Sequence, residues 1–343
     1  QLLVFALQQL LAIIASTILV PVLVNNLGVV NLKMDPSSAL IGAGFGTITY
    51  LLFTRKKSPV FLGSSFAFIG SMFSAFAGAA TLGLTEQAGY WGLIIGALMA
   101  GLVYVIIAVI VKFCGVKWID KLMPPVIIGP TVAIIGLSLS GNAIGDLMKS
   151  SVEGGSVYVA LICGLITLAV TMLCSTYGKK IGKLIPFIIG ILAGYIAASI
   201  FALIGYASKN PALIVINYSA LKNCGLFALP KFTFVLGGTA GLKAITGKYI
   251  LTLFTAYVPV AFVVFAEHLA DHKNLSSIIG QDLLKEPGLT RTLLGDGIGS
   301  MAGAFFGACP NTTYGESIGC VAITRNASTI SIWGCAFIYL LFS

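Results

Sequence analysis

Apolar runs of about 17 to 25 residues, separated by short polar stretches, recur along the whole chain, and each is long enough to cross about 30 Å of hydrocarbon as a helix. They predict spans at 2–25, 38–53, 60–80, 90–111, 124–142, 156–176, 185–206, 249–270, 290–308 and 312–324, with an eleventh starting near 328. Two of these runs do not read as uninterrupted helices. The third opens PVFLGSSFAFIGSMFSAF at Pro59, and over Gly63-Ser64-Ser65-Phe66-Ala67-Phe68 small, polar and aromatic residues alternate as in a short strand. The tenth opens PNTTYGES at Pro310, where the proline, β-branched Thr312 and Thr313, and Gly315 disfavour helix until about Glu316. Extended backbone at membrane depth is tolerated only when buried in protein or lining a cavity. The two pieces are therefore expected to pair as a small antiparallel ladder, each leading into a half-helix.

The interrupted spans are seven apart, and seven spans precede a long polar segment, 207–248. That spacing suggests a repeat of seven, and an odd number of spans forces the second copy to be inverted; interrupted spans at matching positions mark the substrate site of such transporters. Ordinary kinked helices are the plainer alternative. The segment 207–248 contains LIVINY and FTFVL, which suit a hairpin, and is expected to be an extracellular cap or a linker between halves.

Composition narrows the class. Of 343 residues, 58% are hydrophobic and 9% charged, and the mean hydropathy is +1.02, a balance that cannot cover a water-facing surface. The expectation is an all-α polytopic protein of the cell membrane, with the lipid bilayer as its solvent. The net charge of +9 does not point to nucleic acid, because the basic residues cluster between spans: Arg55, Lys56 and Lys57, then Lys112, Lys117 and Lys121, then Lys179, Lys180 and Lys183. These loops share one side, which the positive-inside rule makes cytoplasmic together with the N-terminus; Lys209, Lys222, Lys231, Lys243 and Lys248 run against the pattern, within a segment long enough to translocate regardless of charge. The seven cysteines lack CxxC or Cys/His spacing and read as small buried hydrophobes, with no metal or cofactor implied. The chain starts without Met in one apolar run and stops within another, so it reads as a piece of a longer protein.

A carboxylate at bilayer depth costs a few kcal/mol and normally faces a cavity, pairs or is protonated. The carboxylates that stand out are Glu267, in VPVAFVVFAEHLADH, and Glu316. A helix N-terminus attracts anions, so a carboxylate placed at one argues against an anion carrier and for a cation or a neutral ligand rich in N–H donors; extended backbone nearby offers N–H groups to a ligand carbonyl. Donors and acceptors in one plane describe a nucleobase. Asp271 shares a helix face with Glu267 and is either part of a proton path or, with His272 and Lys273, the solvated end of the span. His268 points away from Glu267 and reads as packing. Gln8 and Gln9 need partners within the bundle or a ligand pocket. Gly295, Gly299, Gly303 and Gly307, spaced by four, predict close helix packing; GDGIG lacks the preceding strand of a dinucleotide site.

LGSSFAFI at 62–69, AEH at 266–268, KEPGLTR at 285–291 and PNTTYGESIG at 310–319 resemble the nucleobase–ascorbate (nucleobase–cation symport 2) family, above all its bacterial uracil permeases. The likeness covers nearly the whole chain. It implies fourteen spans in two inverted sevens, about ten or eleven of them present here. The core would comprise 1–111 and 249–343, the gate 112–206, and the extracellular loop 207–248, with short strands in spans three and ten. Carried over by motif, Glu267 and Glu316 would accept hydrogen bonds from uracil N–H groups, the backbone N–H groups of Phe66 and Gly315 would meet a uracil carbonyl, and the Phe66 ring would line the pocket. Ser16 takes the place of the small first-span residue that approaches the ligand. Three positions depart from the family pattern: Gln9 replaces the His of a Gln-His pair, Asp271 the His one turn after Glu267, and Ser317 the Asn after Glu316.

The resemblance implies a proton-coupled uracil importer with alternating access, in which Glu267 and Asp271 handle the coupling proton, and it leaves a homodimer open. Xanthine or another purine is the alternative substrate, and a passive nucleobase channel the alternative class. An intramembrane enzyme would need a nucleophile–base pair or a metal cluster, and with two histidines and no HExxH the chain offers neither.

Overall fold

The structure, a computed structural model, describes residues 2–26, 34–122, 124–150, 152–179, 181–218 and 240–343. Two compact units emerge: Gln1–Ala133 with Pro230–Ser343, and Ile134–Leu229. In chain order the helices are α1 (Leu2–Asn26), α2 (Pro36–Phe53), α3 (Ile69–Thr81), α4 (Glu86–Cys114), α5 (Lys117–Leu122), α6 (Pro125–Leu147), α7 (Val157–Tyr177), α8 (Ile181–Leu184), α9 (Pro186–Ser208), α10 (Ala240–Lys243), α11 (Gly247–Ile279), α12 (Leu289–Phe305), α13 (Gly315–Thr324) and α14 (Thr329–Phe342). Strand β1 (Leu62–Ser64) and a 3-10 turn (Phe66–Phe68) precede α3, and β2 (Asn311–Thr313) precedes α13. Among the described residues six helices are long and apolar enough to cross a membrane, and Phe66–Thr81 and Thr329–Phe342 are shorter apolar helices.

In the larger unit α12 lies against both α2 and α4, and glycine lets the backbones touch. A Cβ on Gly303 would stand 2.8 Å from the Gly42 carbonyl, one on Gly299 2.7 Å from that of Gly46, and one on Gly297 2.9 Å from that of Gly101. Small residues permit this approach where lipid tails leave packing as the main force between helices. Gly307 departs from the expected packing stripe: it lies beyond the end of α12 with φ of 85° and makes a turn. In the smaller unit α7 packs on α9, with Gly190 and Gly194 set against Thr171 and Thr167.

The two strands pair antiparallel, Leu62 with Thr313, Gly63 with Thr312 and Ser64 with Asn311. Ser65 N–H donates to the Pro310 carbonyl (2.9 Å) and Tyr314 N–H to that of Phe61 (3.2 Å). Pro310 has no N–H to give back, so the ladder stops there and the chain turns. This corrects the strand expected over residues 63–68: only Leu62–Ser64 is extended in the ladder, and Phe66–Phe68 is a 3-10 turn. A two-stranded ladder leaves two outer edges, and side chains serve both. Thr47 Oγ1 of α2 donates to the Leu62 carbonyl (3.2 Å) and accepts from its N–H (3.0 Å), while Ser300 Oγ of α12 accepts from Asn311 N–H (2.9 Å).

The expected eighth span, 249–270, is too short: α11 runs to Ile279. His272 is fully buried, so the reading of Asp271, His272 and Lys273 as a solvated helix end does not hold. Residues 213–218 form no strand, and FTFVL lies outside the described residues, as does Cys224. The six described cysteines are free. Outside the long apolar helices Lys57 pairs with Glu286 and holds its carboxyl below the usual range, a contact between exposed groups that contributes little.

A Cβ on Gly46 would collide with the Asn311 amide and stand 2.9 Å from the Gly299 carbonyl, whereas Gly136 has no atom within 4 Å of that position. Thermal unfolding of the purified protein should show Gly46→Ala destabilised by about 1–3 kcal/mol and Gly136→Ala not destabilised. Equal melting of the two variants would contradict the packing described.

Candidate functional site

Helix α13 begins where the ladder ends. Tyr314 is extended (φ −106°, ψ 119°) and supplies no side-chain cap, which leaves Gly315 and Glu316 in the first turn. A carboxylate suits the positive end of the helix dipole. Ser16 of α1 donates its hydroxyl to Glu316 Oε1 at 3.1 Å. Gln9, seven residues earlier on the same face of α1, donates Nε2 to the Ser317 carbonyl at 3.3 Å. One face of α1 thus holds the first turn of α13. Gln9 and Ser317 are buried, 3% and 0% exposed, and Gln9 Oε1 and Ser317 Oγ have no partner among the described residues.

The opposite wall is α11, which packs on the 3-10 turn, β2 and α13. Glu267 and Asp271 lie one turn apart on it, both half-buried. Asp271 Oδ2 accepts from Thr313 Oγ1 at 2.6 Å, and its Oδ1 would be 4.0 Å from a Cβ on Gly315. Glu267 is near enough to Asp271, Asp296 and Glu316 for their charges to interact. Phe66, half-buried, opens the 3-10 turn, and Gly315, exposed, opens α13. The first N–H groups of a helix have no acceptor within it. The structure thus brings Glu316, Gly315, Ser317, Ser16, Gln9 and Asp271 together at one helix start, with Glu267 and Phe66 on the elements packed beside it. Chemically this is a set of carboxylate acceptors facing backbone donors.

The sequence reading passed over one carboxylate, Asp296 of α12, which is 1% exposed. Its Oδ2 lies 2.7 Å from Nδ1 of His268, so His268 is a polar partner rather than packing alone. Thr292 Oγ1 donates to the Leu289 carbonyl and lies 3.1 Å from Nε2 of His268. A carbonyl only accepts, so the threonine proton goes there and Nε2 donates; the contact between Nδ1 and Asp296 then shares one further proton. His272 stacks on His268 at 4.1 Å. Its Nδ1 meets the His268 carbonyl at 2.8 Å and must donate, which leaves Nε2 of a neutral ring to accept from the Tyr50 hydroxyl at 2.7 Å. Ser58 Oγ lies 2.8 Å from the same hydroxyl. An Asp between two glycines in an apolar span was the available signal for Asp296, and the glycine spacing masked it.

Removing the Asp296 carboxylate leaves Nδ1 of His268 buried without a partner, at a cost of about 1–3 kcal/mol. Thermal unfolding should therefore rank Asp296→Ala well below Asp296→Asn, whose amide N–H still donates to Nδ1. The reverse ranking would contradict the pairing.

Known proteins corroborate the resemblance. The model of the permease family matches residues 1–343. The uracil permease of Bacillus subtilis (strain 168) is 36% identical over 342 residues, which span 98% of this chain and 70% of that one. That of Bacillus caldolyticus is 36% identical over 337 residues (98% and 70%), and that of Escherichia coli (strain K12) 34% over 339 residues (98% and 69%). Among solved structures, the transmembrane domain of the cyanobacterial bicarbonate transporter BicA superposes with a TM-score of 0.59 at 14% identity, over 97% of this chain and 81% of that one, a likeness of fold alone. The chain therefore belongs to the permease family, that of the nucleobase–ascorbate transporters, and is a multi-pass membrane transport protein.

Proposed function

We propose that this protein imports uracil across the cell membrane by proton symport. The observation that carries the reading is Glu316, a carboxylate in the first turn of a half-helix with one oxygen held by Ser16. An anionic substrate would be repelled there, whereas uracil presents two N–H donors and two carbonyls in one plane. Glu267 and Glu316 accept the N–H groups, Phe66 and Gly315 N–H groups meet a carbonyl, the Phe66 ring covers one face, and Ser16, Gln9 and Ser317 complete the wall. The names of the relatives support the same substrate. Residues 1–111 and 249–343 act as a core that moves against a gate built on 112–206, with 207–248 outside, the N-terminus in the cytoplasm and the whole protein made of fourteen spans in inverted sevens. A homodimer is the assembly proposed. Glu267 takes the coupling proton, and Asp271, tied to Thr313 of β2, relays it. A purine substrate, or a passive channel that cannot accumulate substrate, is the competing reading.

Hydrogen bonds to charged groups contribute about 1.5–3 kcal/mol. In cells lacking their own uracil uptake, Glu316→Ala should therefore weaken uracil affinity at least about tenfold with protein level unchanged. Uracil methylated at either ring nitrogen should compete as poorly, while xanthine should not compete. Strong xanthine competition would overturn the substrate. Coupling is read separately: uptake should rise as external pH falls and collapse with a protonophore, and uptake indifferent to both would remove proton symport while leaving the substrate intact.

A further inference from the structure

Between the ladder, α4, α11 and α12 lies a small cavity whose wall includes Phe68, Tyr104, Val264, Asp296, Ser300 and Asn311. About 10 Å3 of it is open to the centre of a water molecule, close to the minimum that one internal water requires. Two groups in its wall are buried without a partner among the described residues, the Tyr104 hydroxyl and Asn311 Oδ1, on residues 4% and 3% exposed. The Asn311 amide cannot be turned round to hide its oxygen, since Nδ2 already donates to the Gly42 carbonyl at 2.8 Å. The Tyr104 ring is held edge-on by Phe265 and His268. A hydroxyl that needs an acceptor and an amide oxygen that needs a donor therefore belong to residues that line one small cavity, together with Asp296.

We propose that this cavity is a binding site for a single resident water, which accepts the Tyr104 proton, donates to Asn311 Oδ1 and turns its second proton to Asp296. Water suits the site better than a sodium ion. Asp296 shares a proton with His268, so the pair carries no uncompensated negative charge for a bare cation. The water ties β2 to α4 and α12, and through β2 it positions the start of α13, four residues beyond Asn311. Its presence does not depend on which base is transported.

The test is an experimental structure of the whole protein at a resolution that shows ordered water, in sodium and in potassium buffer, for the natural protein and for Tyr104→Phe. One peak about 2.7–3.2 Å from the Tyr104 hydroxyl and from Asn311 Oδ1 is expected in both salts and is weakened or lost in Tyr104→Phe. A well-ordered cavity without a peak, a peak that requires sodium, or direct contact between Tyr104 and Asn311 would each overturn the proposal. Tyr104→Phe should also raise KM for uptake about fivefold with kcat and melting temperature unchanged. A lowered melting temperature with KM unchanged would make the water structural filling and sink its positioning role.

Discussion

Extended backbone cannot face lipid, because hydrocarbon offers no partner to its N–H and C=O groups. The short ladder of β1 and β2 meets that constraint in three ways. The strands serve each other, Thr47 and Ser300 serve their outer edges, and the Tyr314 hydroxyl donates to the Ser64 carbonyl at 2.8 Å. Threonine and serine reach these edges only because α2 and α12 lie close, and the closeness is set by Gly42, Gly46, Gly299 and Gly303. Asn311 joins the two systems, paired in the ladder and bonded to the Gly42 carbonyl.

With the ladder in place, two helical segments start inside the bundle rather than at its surface. Each start presents unbonded N–H groups and a positive dipole end. Glu316 offsets one of these ends, with Ser16 fixing the direction of its carboxylate, and α11 presents Glu267 and Asp271 from the other side. Behind them the buried chain of Asp296, His268, His272 and Tyr50 joins α11 to α12 and α2. The helix that carries Glu267 and Asp271 is therefore anchored to the same elements that hold the ladder.

The break before Glu316 was legible because proline, β-branched threonines and glycine in succession oppose helix whatever surrounds them. The third-span strand was read too long, since its end is set by Pro310, almost 250 residues away in sequence, which has no N–H to extend the ladder. Hydropathy ended α11 at residue 270 because Asp271, His272 and Lys273 look solvated; Thr313 and Tyr50, which satisfy two of them, come from distant segments. Asp296 was hidden for the same reason. Its partner lies 28 residues away on another helix, and the surrounding glycines already had an explanation in packing. The contacts of Ser16 and Gln9 with α13 span about 300 residues and leave no local pattern.

The proposed function requires the two half-helix starts and the carboxylates beside them to hold a nucleobase. An experimental structure of the protein with uracil bound tests it most directly. Both ring N–H groups are expected on Glu267 and Glu316, with a ring carbonyl within hydrogen-bond reach of the Phe66 and Gly315 N–H groups. Uracil seated away from α13, or with its carbonyls turned toward the two carboxylates, would contradict it.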